Sequence, residues 1–433
     1  MSAPSEKNLS ETLFNKVKPF KVHETSTVSN SGSSLPCEPQ EQFLIDGLCT
    51  PSWFRILRRA FWIWQGADMI EMEDVLARIA TSDGVRTNPQ QLDTVQGFVP
   101  GNWCYEWSQL AGLHNRKAKE AEDAGQPRLA RKEYFMAARY YSIASYPHLK
   151  GDELAEQAQV MANIAYREGG HLLPVPLKEL KVPFRGKEIK GYLHLPHDDH
   201  PVPLVMVTGA IDSLQLDFIL LFKNVLAPLG IGMLSLDLPG CGYSSQWPLV
   251  EDSSRLHQAV LQYLKDVPWV DDQRIGMVGF RLGGNVAVRL AYLEQLRMKA
   301  VVCIGPGMHN YFTDPTQFAL SPPMMRASLA NRLNMDAADW EELQKKCQVF
   351  SLKRQGLAGV TKTRVPILSM GHRRDFICPE ADIRLLASSS LNGKAVVLDK
   401  EPVKEQMNRM MSEIGEWLRL HFNLGSTERI KLL

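Results

Sequence analysis

The chain lacks several features that would assign it to a specialised class of protein. Its seven cysteines are dispersed, odd in number and without a Cys-x-x-Cys pair, which excludes an obvious disulfide scaffold or zinc site. It has no His-Glu-x-x-His, P-loop or Gly-x-Gly-x-x-Gly motif, so we expect neither a metal nor a cofactor. No apolar run is long enough to cross a bilayer, and the first residues have no secretory pattern. These absences predict a cytoplasmic protein with reduced thiols.

The chain has no excess of positive or of negative charge. Lysine and arginine total 49 and aspartate and glutamate 48, so no electrostatic footprint for nucleic acid or an anionic membrane is expected. The short basic run Arg55–Arg59 lies inside an apolar, Trp-rich pattern. We interpret it as the solvated face of a helix that starts near Pro51.

The 433 residues divide into regions of different pattern. A polar, serine-rich segment, residues 1–45, is expected to be a flexible arm. Residues 46–174 have a helical period and predict an all-helical, cap-like domain, or a bundle without a function of its own. Residues 175–425 begin with a β-hairpin and then alternate apolar strands with helices, interrupted by a helical insertion at about 308–350. Residues 426–433 form a short tail.

The most informative motif is Gly279-Phe-Arg-Leu-Gly283, directly after an apolar strand pattern. It has the frame of a nucleophile elbow, Gly-x-Ser-x-Gly, in which a buried strand turns sharply into a helix and exposes one side chain. Together with the alternation of strands and helices, it predicts the α/β-hydrolase fold, a doubly wound and mostly parallel sheet. The insertion at about 308–350 lies where such hydrolases often carry part of a lid.

Arginine occupies the serine position of this elbow. The guanidinium of Arg281 stays protonated and is no nucleophile, and it lies at a helix start that favours anions. Its partner is either a protein carboxylate, for which Asp212 is the first choice, or the carboxylate of a substrate. A buried ion pair that only holds loops together explains the residue equally well.

The other catalytic positions of the fold follow later strands, in the order acid and then histidine. Asp375, after a strand that ends near Met370, occupies the acid position, although a pair with Arg373 or Arg374 is an equal alternative. No histidine occurs in 399–406, where the base is expected, and His421 lies inside the last helix. Losing one member of a triad typically costs about 10⁴-fold in rate, so a standard acyl-enzyme cycle is not expected.

Further candidates lie on loops at the same end of the sheet. The loop after the strand Val202–Thr208 normally supplies an oxyanion-hole N–H, and Ser213 beside it is a possible donor. His309 follows the strand Lys299–Ile304, but a lone loop histidine is more often structural. The residues predicted to contact the substrate or its oxyanion are Gly209, Ala210, Ile211, Ser213, Leu282 and His309.

Several motifs together resemble the FrsA family, the fermentation/respiration switch proteins of γ-proteobacteria. They include Asn8–Phe14, His23–Thr27, Gly101–Trp107, Tyr146–Gly151, Val267–Asp271 and Gly279–Leu293, and the arginine elbow is itself typical of that family. More distantly, the arrangement is similar to hydrolases that cleave carbon–carbon bonds in diketones. The FrsA resemblance implies a cytoplasmic carboxylic-ester hydrolase that binds the glucose-specific enzyme IIA of the sugar phosphotransferase system, linking sugar uptake to fermentation or respiration.

Three functions therefore compete at this point. The first is an unconventional hydrolase of short esters, in which water or a remote group replaces the serine. The second is a site that binds a small carboxylate such as a 2-oxo acid. In the extension of this hypothesis, the site also cleaves or decarboxylates the bound acid without a cofactor. The third is a non-catalytic regulator that uses the hydrolase fold as a scaffold for a protein partner.

Overall fold

The first half of the chain is mainly helical, as its sequence period predicts. The computed structural model describes residues 42–45, 47–337 and 339–425. Its first elements are β1 Gln42–Leu44, β2 Gly47–Cys49, α1 Arg59–Trp64, α2 Met69–Ala80, α3 Trp103–Asp123, α4 Pro127–Ser145 and α5 Glu153–His171. The predicted arm up to residue 41 and the predicted tail lie outside the described residues. The predicted domain boundaries stay predictions.

Local sequence explains where these helices begin and how they pack. The side chains of Asp68, Asn102 and Asp152 each accept a hydrogen bond from a backbone N–H of the first turn of α2, α3 and α5. Trp103 and Trp107, one turn apart on α3, are both fully buried, and their ring centroids lie 5.6 Å apart. Helices α4 and α5 pack against each other as a helical hairpin.

A twisted sheet forms the second half of the chain. Within the described residues its eight strands have the order β10-β9-β8-β7-β5-β6-β4-β3. The strands are β3 Lys178–Phe184, β4 Lys187–His194, β5 Val202–Thr208, β6 Gly232–Leu236, β7 Val270–Phe280, β8 Met298–Ile304, β9 Ile367–His372 and β10 Gly393–Leu398. The hairpin β3–β4 is antiparallel, β4 is also antiparallel to β6, and the strands β5 to β10 are parallel to one another. The predicted doubly wound, mostly parallel sheet is confirmed.

Helices cover the sheet and fill the insertion between β8 and β9. They are α6 Arg255–Tyr263, α7 Leu282–Leu293, α8 Asn310–Thr313, α9 Pro315–Ala319, α10 Pro323–Leu333, α11 Trp340–Cys347, α12 Glu380–Ser388 and α13 Val403–His421. The carboxyl ends of β5, β7, β8 and β9 meet at one edge. The loops after these strands, which carry the predicted site, are therefore brought together there.

Two local predictions are wrong. The helix expected from Pro51 begins only at Arg59, because the carboxylate of Asp93 accepts the backbone N–H groups of Phe54 and Arg55 at 2.7 and 3.0 Å and holds this stretch in a non-helical form. The alternation of strands and helices also predicts a regular helix between β5 and β6, where the chain instead forms a short α-turn, Ile219–Leu221, flanked by 3₁₀ and π turns.

The helical region and the sheet share one hydrophobic core. Tyr166 of α5 forms a hydrogen bond with His194 of β4 at 2.8 Å and stacks on Tyr192 of the same strand at 5.0 Å. These contacts make the helical region an integral part of the folded unit. Among the described helices, none is both long and apolar enough to span a membrane.

Candidate active site

The elbow motif forms the sharp turn that its glycines predict. Arg281 connects β7 to α7 with φ 55° and ψ −121°, a conformation that L-residues rarely adopt and that costs about 1–3 kcal/mol. A Cβ on Gly283 would lie 2.5 Å from the carbonyl oxygen of Thr208, and one on Gly279 would lie 2.2 Å from that of Gly283. Glycine is therefore required on both sides of the arginine, as in a serine elbow.

The Arg281 side chain points towards the loop after β9. Its Nη1 atom donates to Oδ2 of Asp375 at 2.6 Å and approaches the carbonyl oxygen of Gly305 at 3.4 Å. The two side chains of the pair are only 7% and 0% exposed. Asp375 also accepts the backbone N–H groups of Ile45 at 2.8 Å and of Ile377 at 3.0 Å. The acid position of the fold therefore anchors the arginine, and a segment from the predicted arm contributes a donor.

The expectation that Asp212 pairs with Arg281 is wrong. Asp212 follows β5, on the other side of β7 from β8 and β9, and it pairs with Arg58 instead, Nη2 to Oδ2 at 2.8 Å. The sequence order of the strands does not reveal on which side of β7 the guanidinium turns. The alternative that Arg373 pairs with Asp375 is also wrong, since Arg373 lies 3.3 Å from Asp399 and 3.5 Å from Glu380.

Arg58 is a site residue that sequence reasoning missed. Its run was expected on a solvated helix face, yet Arg55 and Arg58 are 0% and 3% exposed and only Arg59 lies at the surface. Arg55 pairs with Asp93 at 3.0 Å, and Arg58 pairs with Asp212. The density of aromatic residues around the run was the available signal, because a charge surrounded by buried side chains needs a buried partner.

A small cavity of about 40 Å³ lies in front of the elbow. Its charged lining comes from Arg281, Asp212 and Arg58, and Phe312 of α8 and Met325 of α10 contribute to its apolar wall. Oδ1 of Asp212 is buried and receives no hydrogen bond from a described residue. A cavity of this size holds only a few water molecules or a small group.

Two residues that line this cavity occupy the positions that supply an oxyanion hole in α/β-hydrolases. Ile211 and Leu282 both line it, and no described residue accepts a hydrogen bond from either N–H. Leu282 is the first residue of α7, where N–H groups have no partner within the helix. The residue after the elbow and the loop after β5 supply these donors in α/β-hydrolases.

No histidine among the described residues lines the cavity. His372, at the end of β9, uses both ring nitrogens on backbone groups, Nε2 with the carbonyl of Asp399 at 2.8 Å and Nδ1 with the N–H of Arg374 at 3.1 Å. His421 packs on Trp417 in α13, with ring centroids 4.3 Å apart. The base position after β10 has no imidazole in the described part of the chain.

Comparison with known proteins now decides the family. A family model of FrsA-like esterases matches residues 4–422. The chain is 40% identical to the esterase FrsA of Photobacterium profundum over 97% of its length and 99% of that protein, and 44% identical to the one of Enterobacter sp. over 96% and 99%. The chain belongs to the FrsA-like esterase family. The resemblance found in the sequence is confirmed, and with it the class, an ester-type hydrolase.

Solved structures support the fold of this FrsA-like chain. A 2,6-dihydroxy-pseudo-oxynicotine hydrolase superposes with a TM-score of 0.65 at 19% identity, covering 84% of this chain and 95% of that one. AbyA5 superposes with a TM-score of 0.59 at 20% identity, covering 81% and 94%. At these identities the similarity shows the fold alone, and the predicted α/β-hydrolase fold with a helical N-terminal region is confirmed.

The remaining predicted residues have structural contacts. The hydroxyl of Ser213 accepts the N–H of Ala210 at 3.4 Å, and the carbonyl of Gly209 accepts that of Gly283 at 3.1 Å. His309 lies outside the cavity lining, and its Nδ1 contacts the Ser351 hydroxyl at 2.8 Å. Burial, aided by Lys353 and Arg354, lowers the pKa of His309.

The side chains that could bind a metal ion lie away from the elbow site. In the described residues, the one group of three close metal-binding side chains is His197, Asp199 and His200, on a loop between β4 and β5. This loop precedes β5, whereas the elbow site follows the strands, so the group lies at the other end of the sheet.

Proposed function

We propose that this chain hydrolyses short carboxylic esters in the cavity at the elbow, with water in place of the missing serine. The observation that carries this proposal is Asp212, which lines the same cavity as Arg281 and whose buried Oδ1 atom receives no hydrogen bond from a described residue. A carboxylate oxygen in that position is free to accept a proton from a water molecule beside the ester.

The hydrogen-bond donors of the cavity stabilise the negative charge that develops on the carbonyl oxygen of the ester. The N–H groups of Ile211 and Leu282 act as donors to that oxygen, and the start of α7 adds its dipole. Arg281, held by Asp375, contributes a fixed guanidinium that does not react. Donors fixed in advance stabilise an oxyanion without reorganising during the reaction.

The reaction then runs in two balanced steps. Oδ1 of Asp212 takes a proton from water as the water oxygen bonds to the carbonyl carbon, and the carbonyl electron pair moves onto its oxygen. The tetrahedral anion re-forms the C=O bond, the C–O bond to the alcohol breaks, and the departing alkoxide takes the proton from Asp212. No acyl-enzyme forms, so the enzyme needs no serine.

The cavity limits the substrate to a short acyl group. Phe312, Met325 and Leu329 close the space, which is only about 40 Å³. We expect acetate and propionate esters to react faster than octanoate esters. Arg281 and Asp212 are only 6% and 3% exposed, so little bulk water surrounds them, and this strengthens the electrostatic contacts inside.

The test is Asp212→Asn, which keeps an oxygen acceptor for Arg58 but removes the base. We expect kcat/KM for p-nitrophenyl acetate to fall by about 10²-fold or more, the usual contribution of general-base catalysis. Asp399→Asn, which changes an aspartate that pairs with Arg373 at the surface, is the matched control and retains wild-type kcat/KM. If Asp212→Asn also retains it, with an unchanged melting temperature, the proposed base is wrong.

The geometry disfavours the 2-oxo acid alternative. Asp375 neutralises Arg281 at 2.6 Å, and Arg58 and Asp212 neutralise each other at 2.8 Å, so an entering carboxylate has to compete with protein carboxylates for both guanidinium groups. Calorimetry with pyruvate distinguishes the two functions. We expect no heat of binding at millimolar pyruvate, and a saturable heat that Arg281→Met abolishes would favour the alternative.

We also propose, from the family resemblance, that the chain binds the glucose-specific enzyme IIA in the cytoplasm and links sugar uptake to fermentation or respiration. The incomplete triad supports a regulatory role beside a slow hydrolase. The test is a pull-down of the full chain with enzyme IIA in each phosphorylation state, because the shared core makes a truncation at residue 175 unsuitable. Failure of both states to bind would overturn the proposal.

A further inference from the structure

A second cavity, about ten times larger than the one at the elbow, lies between α4 and the 215–229 segment. Its volume is about 400 Å³, against about 40 Å³ at the elbow. Cavities of about 300–1,000 Å³ are the size that takes drug-sized organic ligands. Neither Arg281 nor Asp212 lines it, so it is a separate space.

One face of α4 gives this cavity its charge. Arg128, Arg131, Lys132 and Arg139 line it from positions 3, 4 and 11 residues after the first of them, which lie on one side of a helix, and Lys223 adds a fifth cation from another element. Among the described residues, no acidic side chain lines the cavity, and none of the five cations forms an ion pair with a carboxylate. The whole chain is almost neutral, so this is a local excess of positive charge. A cleft lined by one sign of charge attracts ions of the opposite sign.

Arg139 is the buried member of this group. Its residue surface is 9% exposed, and its Nη1 atom donates to the carbonyl of Gly66 at 3.1 Å. Its Nε and Nη2 groups donate to no described acceptor. Among the carboxylates, that of Asp217 has the largest electrostatic effect on the Arg139 pKa. It already accepts hydrogen bonds from the Ser142 hydroxyl and the Leu214 N–H, both at 2.8 Å. A guanidinium in this state gains strongly from an anion.

The space beside Arg139 is apolar. Phe135 and Met136, one turn earlier on α4, line the cavity together with Ile219 and Phe222 of the opposite wall. Arg128 lies 11 residues before Arg139, which is about 16 Å along a helix, so the cations at the outer end are well separated from the buried one. The cavity therefore offers a buried cation, an apolar channel and a cationic entrance.

We propose that this cavity binds a carboxylate with an apolar chain, whose head pairs with Arg139 and whose chain lies along Phe135 and Met136. Arg128 and Lys132, which are exposed, attract the anion to the entrance. This ligand satisfies the free donors of the guanidinium and covers the apolar walls at the same time. Burial lowers the pKa of Arg139 to about 10, so the group is still charged at neutral pH and available to the carboxylate.

Calorimetric titration of the full chain with decanoate, and with decanol as the uncharged control, tests this proposal. We expect decanoate to bind about 10- to 100-fold more tightly than decanol, because a hydrogen bond between charged groups typically increases affinity by about this factor. Arg139→Met keeps the volume but removes the charge, and it should bring the two affinities together. Arg116→Met, which changes an exposed arginine on α3, should leave the preference for decanoate unchanged.

Three results would overturn the proposal: no saturable binding of decanoate, equal affinities for decanoate and decanol in the wild type, or an unchanged preference in Arg139→Met. Replacing a buried charge by an apolar side chain is often neutral or stabilising, so Arg139→Met is expected to fold. Lys132→Glu gives an independent check, because it should weaken decanoate binding but not decanol binding. Asp212→Asn should keep decanoate binding while losing ester hydrolysis, so the two proposals fail separately.

Discussion

The buried pair between Arg281 and Asp375 makes a sharp stability prediction. Asp375→Ala removes a carboxylate that is fully buried and accepts three hydrogen bonds, from Arg281, Ile45 and Ile377. Removing one partner of a buried ion pair typically costs about 3–5 kcal/mol. We therefore expect the free energy of unfolding to fall by about 4 kcal/mol.

The size of the chain converts this loss into a shift of melting temperature. The entropy of unfolding is about 2.1 cal/mol/K per residue, which for 433 residues gives about 0.9 kcal/mol/K. A loss of about 4 kcal/mol then lowers the melting temperature by about 4 °C. Because the helical region and the sheet share a core, we expect one transition in differential scanning calorimetry.

An exposed pair of the same type provides the control. Arg373 and Asp399 lie 3.3 Å apart with side chains 55% and 38% exposed, and such pairs contribute about 0.2–1 kcal/mol. Asp399→Ala should therefore lower the melting temperature by about 1 °C or less. If the melting temperature of Asp375→Ala were the same as that of Asp399→Ala, this result would refute the argument. In a double-mutant cycle with Arg281→Met, we expect a coupling energy of at least about 1 kcal/mol between Arg281 and Asp375.

Three further predictions concern a buried histidine and two glycines. His257 is fully buried on α6, neither ring nitrogen has a described partner, and burial lowers its pKa to about 4 from an ordinary 6.5. Since the unfolded chain takes up this proton near pH 6.5 and the folded chain only near pH 4, stability falls as the pH drops through that window, by about 3 kcal/mol in total. His257→Leu should remove this loss in urea unfolding at pH 7 and pH 5, and an unchanged pH dependence would contradict the assignment. Gly283→Ala should destabilise the fold by about 1–3 kcal/mol, because its Cβ would meet backbone oxygens of β5 and its loop at 2.5 and 2.6 Å. Gly415→Ala, in the middle of α13 with its nearest neighbour at 3.5 Å, should instead stabilise it by about 0.5–1 kcal/mol, and a loss there would show that the space is tighter than it looks.

Much of the fold could be predicted from local pattern. The buried strand Val202–Thr208 has the predicted bounds, because an apolar run between turn signals specifies a strand within a few residues. The helix at Pro51 failed because a distant carboxylate, Asp93, captures its N–H groups. Such competition between backbone and side chain depends on contacts that are far apart in sequence.

The candidate site was likewise predicted only in part from the sequence. The sequence placed Arg281, Asp375 and the loop after β5 at one edge of the sheet, since that follows from the motif and the strand order. It paired Arg281 with the wrong aspartate and put Arg58 in solvent. Both errors concern the direction of a long, flexible side chain, which the spacing of residues does not encode.

By itself, the sequence determined the arginine elbow, the empty serine and histidine positions and the family, because these depend on residue identity at fixed spacing. Only the tertiary structure decided which carboxylate holds Arg281, that one oxygen of Asp212 has no described donor, and that five cations line a second cavity. The physical reason is that ion pairing and burial are set within a few ångströms by packing. Residues more than 150 positions apart in the chain, such as Arg58 and Asp212, meet only when the whole molecule has folded.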